Sequence, residues 1–210
     1  MWRKIIFVVA TLFFAFGILF ISILRTASVK YEFGQGKGLD LNMVSGNKSY
    51  SIIYYLAYPG KVLPDSPLWR IKAARDRVWL LLTTNKTKKI ELLLLFSDKR
   101  LGASKILFDK GKPEVAYSTL TKGEKYMEEA SIEEEKIRKE GVDTTELVKR
   151  LANASLKHYE VIDAILATAP EDAIAGLKVT QNISTKVYER SRNALLEKGI
   201  APPDNPFNWQ

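Results

Sequence analysis

The 210-residue sequence predicts an all-α protein: one N-terminal transmembrane helix, a flexible tether, then an antiparallel bundle of about five helices. Three observations carry this. Residues 5–24, IIFVVATLFFAFGILFISIL, contain no charged group. From residue 67 onward, apolar residues recur at helical spacing between glycine and proline stops. No stretch of any length alternates apolar and polar residues as a half-buried strand would.

Twenty apolar residues at about 1.5 Å each cross the roughly 30 Å hydrocarbon layer of a bilayer. Their backbone groups can be satisfied there only within a helix. A cleaved signal peptide has a shorter apolar core, of about 7–15 residues, so the run reads as an uncleaved anchor over 5–25. Arg3, Lys4 and the terminal amine lie on one side of the run and Arg25, Lys30 and Lys37 on the other. The N-terminal charges read as the set closer to the membrane edge, and a long following domain translocates largely regardless of its own charge. Residues 1–4 are therefore expected as a cytoplasmic stub, with the bulk of the chain outside a bacterial cytoplasmic membrane.

Residues 26–50, polar and glycine-bearing without a sustained period, read as a tether. Residues 51–66 form an extended, proline-rich collar. Its first part, SIIYYLAY (51–58), is too short for a helix and is expected to lie along the bundle. Pro59 and Pro64 rule out a regular helix or ladder. Asp65 or Ser66 is expected to cap the first helix, with Pro67 at its first position.

The bundle is expected over 67–199. The first helix runs 67–82, and Asn85 caps the second, which runs 86–110 and stops at Gly111. Pro113 starts the third, which ends at Gly141. Asp143 with Glu146 has the spacing of a capping box for the fourth. Pro170 opens the fifth and Gly199 closes it. In the third helix Ala116, Leu120, Gly123, Met127, Ala130 and Ile137 form an apolar seam broken only by Glu134. In the fourth the seam is Leu147, Leu151, Ala154, His158, Val161 and Ile165. Such seams with short loops imply antiparallel neighbours. The proline-rich tail 200–210, APPDNPFNWQ, cannot be helical, and Phe207 and Trp209 are expected to fold back onto the bundle.

Two stretches, YPGKVLPDSPLWRIKAARDRVWLLLT (58–83) and KKIELLLLFSDKRLGASKILFDKGKPEVAYSTLTKGEKYMEEA (88–130), carry a resemblance. An aliphatic helix, an Asp98-Lys99-Arg100-Leu101 turn, and a Lys-Gly-Lys-Pro-Glu restart of the next helix follow in order. This is similar to the bacterial family known as domain of unknown function 5667. The resemblance implies a helical domain behind one transmembrane helix, and it supplies no activity.

Composition excludes several function classes. With no cysteine, disulfides, thiol chemistry and Cys-ligated metal sites are ruled out. The net charge of +8 includes Arg3, Lys4 and Arg25 around the apolar run, which leaves 29 of the 32 basic groups against 24 acidic ones in residues 26–210. Most alternate in sign along helices, and no nucleic-acid-reading motif accompanies them, so no nucleic-acid partner is expected. The single histidine, His158, reads as a core imidazole bonded to a neighbouring helix; its other reading is a metal ligand or pH-sensitive group. A di-iron site needs Glu three residues before His, and Ser155 stands there. Glu128, Glu129, Glu133, Glu134 and Glu135 interleave with Lys125, Lys136, Arg138 and Lys139 and read as a salt-bridged, solvated face rather than a cation site. One histidine on a packed seam does not make a hydrolase triad.

No enzyme activity and no cofactor are therefore expected. The candidate interaction surface is the basic, tryptophan-bearing first helix: Trp69, Arg70, Lys72, Arg75, Arg77 and Trp79. Such a helix can lie on anionic lipid, or its indoles can pack inward while its cations stay wet. The expected function is a non-catalytic protein-interaction or structural component of the cell envelope, with a protein partner or a second copy of itself. The alternative is an extracytoplasmic ligand- or metal-sensing domain built on His158 and the carboxylates of the third helix.

Overall fold

The computed structural model describes residues 52–207 and 209, together with Trp2, Thr11, Phe14, Ala15, Gly17 and Ile18. The chain divides into two units, Met1–Phe33 and Gly34–Gln210. In the first unit the six described positions are helical; the stub, the membrane segment 5–25 and the tether 26–50 otherwise lie outside the described residues. Among the described residues, no helix is long and apolar enough to cross a membrane.

The second unit contains five helices and, among the described residues, no strand: α1 (Trp69–Leu82), α2 (Lys86–Asp109), α3 (Pro113–Lys139), α4 (Thr145–Leu166) and α5 (Glu171–Glu197). Their ends follow local chemistry. Asn85 caps α2 by accepting the Lys88 N–H at 3.0 Å. Gly111 takes a φ of 68°, which lets the Lys112 N–H fold back onto the Leu107 carbonyl at 2.9 Å. Gly141 ends α3 in the same way.

Two expected starts differ. Residues 64–68 form turns, so α1 begins at Trp69 and Pro67 lies before it; Ser66 accepts the Leu68 N–H, while Asp65 reaches across to Lys112 at 2.7 Å. The capping box of α4 does not form. Asp143 accepts the backbone and hydroxyl of Thr145, and Glu146 pairs with Lys149 instead of returning to the helix start.

Ion pairs fix the helix directions. Lys86 at the start of α2 meets Glu140 just past α3, and Lys198 just past α5 meets Asp143 just before α4. Each sequential pair is thus an antiparallel hairpin. Arg138 to Glu197 places the ends of α3 and α5 together, and Arg150 to Glu91 does so for the starts of α4 and α2. The hairpins α2–α3 and α4–α5 therefore lie side by side, α3 against α5 and α2 against α4. By contrast, α1 touches α2 only lightly, and Asp76 is its one buried residue. The helical fold is as expected, with α1 at the margin of a four-helix core.

That core has three apolar clusters. One gathers Leu94, Met127, Ala154 and Val187; a second gathers Leu101, Leu120, Val161 and Leu177 toward the other end. The third, around Leu156, Tyr188 and Leu195, is closed by the tail. Phe207 and Trp209 stack at 4.9 Å and both rings sit against Tyr159, while the Tyr188 hydroxyl donates to the Pro203 carbonyl at 2.7 Å. The tail folds back, as its aromatics require.

Residues 52–58 lie along this core with alternating burial. Leu56 is buried and Tyr54 packs against two clusters, whereas Ile53, Tyr55 and Tyr58 face out. Gly123 shows how closely α2 and α3 approach. A Cβ there would stand 3.0 Å from Arg100 Cβ and 3.3 Å from the Ser97 carbonyl oxygen. Both neighbours belong to the α2 framework and cannot swing away. Gly123→Ala should therefore lower the urea midpoint by the equivalent of about 1 kcal/mol, overpacking outweighing alanine's helix preference. Gly123→Leu should lower it further.

Candidate functional site

On α2 the residues from Leu92 to Asp98 are all buried, because the helix is flanked on several sides. One of them is a carboxylate. Asp98 accepts the Tyr54 hydroxyl at 2.9 Å and His158 Nε2 at 3.0 Å, and the Ala57 backbone N–H bonds it as well. The opposite ring nitrogen, His158 Nδ1, lies 2.7 Å from Glu124 Oε1 on α3, and the Ser184 hydroxyl of α5 donates to Glu124 Oε2 at 2.7 Å. Asp98, Glu124, His158 and Ser184 are each fully buried. The network thus joins the collar and all four core helices.

Its position is a single layer. Asp98 falls between Leu94 and Leu101, Glu124 between Met127 and Leu120, His158 between Ala154 and Val161, and Ser184 between Val187 and Leu177. Each polar residue is bracketed by members of the two axial apolar clusters. A one-turn slip of any helix, about 5.4 Å, would strand a buried charge or its partner, so the layer fixes register.

Burial alone would push the His158 imidazole down. The charge of Glu124, the ring's hydrogen bonds to both carboxylates and the charge of Asp98 outweigh it and raise the ring to about 9. The ring is therefore an imidazolium donating from both nitrogens. Burial raises Asp98, against the bonds from His158 and Tyr54. Both ring nitrogens and all four carboxylate oxygens of the layer are engaged in hydrogen bonds. Among the described residues, no group of three His, Asp or Glu side chains is arranged to hold a metal ion.

The acidic residues of α3 are partly solvated and partly not. Glu133 pairs with Lys136, and Glu135 with Lys139 and Arg190. Glu134 departs from the expected wet face: it is 2% exposed, accepts the Thr144 hydroxyl and pairs with Arg138 at 3.3 Å. It sits on the seam, which is why the apolar spacing skipped it. The carboxylate that meets His158 from α3 is Glu124, outside the expected group.

The six candidates on α1 divide. Arg70 and Arg77 are exposed. Arg75 is bound to buried Asp76 at 2.7 Å. Lys72 turns inward, donating to the carbonyls of Pro59 at 2.6 Å and Val62 at 3.0 Å, and burial lowers it to about 8. Trp79 meets Phe96 edge-on at 5.9 Å, and Trp69 stands under Lys72 and Arg100. The structure thus brings Trp69, Lys72 and Trp79 toward the collar and α2, and leaves Arg70 and Arg77 facing out beside exposed Ile71, Leu81 and Leu82.

The stretch Asp98-Lys99-Arg100-Leu101 therefore supplies a carboxylate to the central layer and a buried guanidinium to the collar side. A family model, Domain of unknown function (DUF5667), matches residues 61–172, more than half of the chain. The chain belongs to this family. The DUF5667 match spans α1 to α4 and includes Asp98, Glu124 and His158; the two hydroxyls that complete the layer, of Tyr54 and Ser184, lie outside it. No curated protein and no solved structure matches this DUF5667 chain.

Asp98 and Glu124 were not singled out by sequence. The signal for Glu124 is positional: it stands four residues after Leu120 and three before Met127, on the seam face. Asp98 has no such signal, because α2 is buried on several sides and carries no single apolar stripe for a polar residue to interrupt.

Proposed function

We propose that this DUF5667 chain is a single-pass membrane protein whose helical domain stands outside the cytoplasm and acts by contact rather than catalysis. The observation that carries the reading is the uncharged run 5–24 ahead of the domain. Two features of the domain support it. The histidine is enclosed with both nitrogens bonded to carboxylates, and α1 turns Arg70, Arg77, Ile71 and Leu81 outward as a surface for a protein partner or a second copy. Protease added to spheroplasts should degrade the domain while cytosolic markers survive, and carbonate washing should leave the chain in the membrane fraction. A domain protected from protease overturns the orientation, and release by carbonate overturns the anchor.

The second reading, a sensing domain, is favoured by one observation: Asp98, Glu124 and His158, all buried, link the collar and all four core helices, so a ligand disturbing one would be felt by all. For metals the expected result is negative. Zinc, nickel, copper and calcium should give neither binding heat nor a shift in melting temperature, because a metal would have to displace a carboxylate from each ring nitrogen it used. A saturable heat lost in His158→Gln would establish the metal-sensing form instead.

A further inference from the structure

Where the collar, α1, α2 and α3 meet, a cleft of about 320 Å³ opens between Pro64 and Trp69 on one side and Val115, Ser118 and Lys122 on the other, with Arg100 at its wall. That volume is at the low end of the roughly 300–1,000 Å³ found for small-molecule sites. Arg100 is 94% withdrawn from solvent, being 6% exposed. Its guanidinium has five N–H donors. One of them bonds the Phe96 carbonyl at 3.3 Å, a turn back on its own helix. Among the described residues no carboxylate lies within ion-pair distance of it; Asp76, whose charge reaches it, is held by Arg75. The rings of Tyr126, Phe96 and Trp69 lie 4.4, 5.8 and 5.9 Å from the guanidinium carbon. Aromatic faces favour the charge but are only weak acceptors for its N–H groups.

The cleft is polar at its two ends in opposite senses. Along α3, Glu114 and Lys122 stand eight residues, about 12 Å, apart. Gly123 abuts Arg100 Cβ, so Arg100 belongs to the Lys122 end. Arg100, Lys122 and Ser118 line the cleft together with apolar Val115, Pro64 and Trp69, and Glu114 lines its other end.

We propose that this cleft binds a small organic anion, its carboxylate or phosphate taken by the Arg100 fork and Lys122 and its flat apolar body lying along Trp69, Pro64 and Val115. A planar guanidinium accommodates either acid group bidentately. Glu114 at the far end repels a second negative charge, so the ligand carries its charge at one end. A bound anion would supply the counter-charge that the buried guanidinium lacks. The inference is independent of the membrane anchor.

The test uses the full chain in nonionic detergent, titrated calorimetrically with phenyl phosphate, benzoate, inorganic phosphate and benzyl alcohol. Phenyl phosphate or benzoate should bind saturably, with Kd below about 1 mM. Benzyl alcohol, which keeps the ring and loses the charge, and inorganic phosphate, which keeps the charge and loses the ring, should each bind at least about tenfold more weakly. Whichever of phenyl phosphate and benzoate binds tighter names the acid group. Arg100→Gln should weaken binding by about tenfold or more. Should that variant fail to fold, Ser118→Trp decides: it fills the cleft from an exposed position, leaves Arg100 in place, and should abolish binding without moving the melting temperature. Absence of saturable binding by both aromatic anions, equal binding of benzyl alcohol, or full binding by folded Ser118→Trp each overturns the proposal.

Discussion

His158→Leu should destabilise the domain by about 3–5 kcal/mol, because removing the cation leaves Asp98 and Glu124 facing each other in the core with no counter-charge. Loss of that size is a large part of the 5–15 kcal/mol that holds a typical domain together, so the variant should melt far earlier or not fold. The milder His158→Gln keeps hydrogen-bonding capacity and isolates the charge. Its readout is pH. The ring titrates near its ordinary 6.5 when unfolded and at about 9 when folded. The stabilisation is therefore complete below about pH 6.5 and is lost as pH rises toward about 9, at up to roughly 1.4 kcal/mol per unit. Tyr54, raised by burial and by Asp98, acts in the same sense only above its ordinary range. Lys72 acts oppositely: lowered to about 8 by burial, it makes stability rise with pH from about 8 to its unfolded value near 10.4. Asp98, raised by burial, makes stability fall with rising pH in the same sense as His158. The window clear of Tyr54 and Lys72 is thus about pH 6.5 to 8. Urea midpoints of the native chain should fall across it, and those of His158→Gln should fall much less. A flat native profile would mean a neutral ring in the folded core.

The helices were legible because their ends are written in residues with one local meaning. Gly111, Gly141 and Gly199 take positive φ where α2, α3 and α5 stop, and Pro113 stands at the first turn of α3. The seams of α3 and α4 were legible for the same reason: a period of about 3.6 identifies a face whatever packs on it. Caps were less so. Asp143 and Glu146 have capping-box spacing, yet each found a different partner, Thr145 and Lys149, once Thr144 had been drawn to Glu134. Tertiary contact overrode the local pattern. The candidate site suffered most. Lys72 reads as a surface cation beside Arg70, Arg75 and Arg77, and only the path of the collar shows that the carbonyls of Pro59 and Val62 need it. His158 was found because it interrupts an apolar stripe. Its partners were hidden, since Glu124 looks like any charge on a charged helix and Asp98 lies in a helix with no one-sided apolar stripe, beside Lys99 and Arg100.

Asp98→Ala should rival His158→Leu in size and differ from it in where the structure opens. Truncation leaves three buried donors without an acceptor: the His158 Nε2–H, the Tyr54 hydroxyl and the Ala57 N–H. Each unpaired donor costs about 1–3 kcal/mol, more for the charged ring, which places the total at about 3–5 kcal/mol once partial relaxation is allowed. Two of the three donors belong to the collar, whose other side-chain ties are the Ile52 N–H to Glu160, the Lys72 clasp and the Asp65–Lys112 pair near α1. The collar should therefore loosen first. Hydrogen exchange at Ala57 and its neighbours should rise in Asp98→Ala under conditions where amides of α4 and α5 keep their protection. Tyr54→Phe removes one hydroxyl and keeps the ring in the core; it should cost about 1 kcal/mol and loosen the same segment less. Because both changes act on one bond, the double variant should lose less than the sum of the singles, by about 0.5–3 kcal/mol. Strict additivity, with collar protection unchanged in Asp98→Ala, would show that the collar is held by apolar contacts of Leu56 and Tyr54 alone and that Asp98 serves only the imidazolium. Coupling would show the opposite: the residue that neutralises the central ring also fastens the collar, through the Tyr54 hydroxyl and the Ala57 N–H.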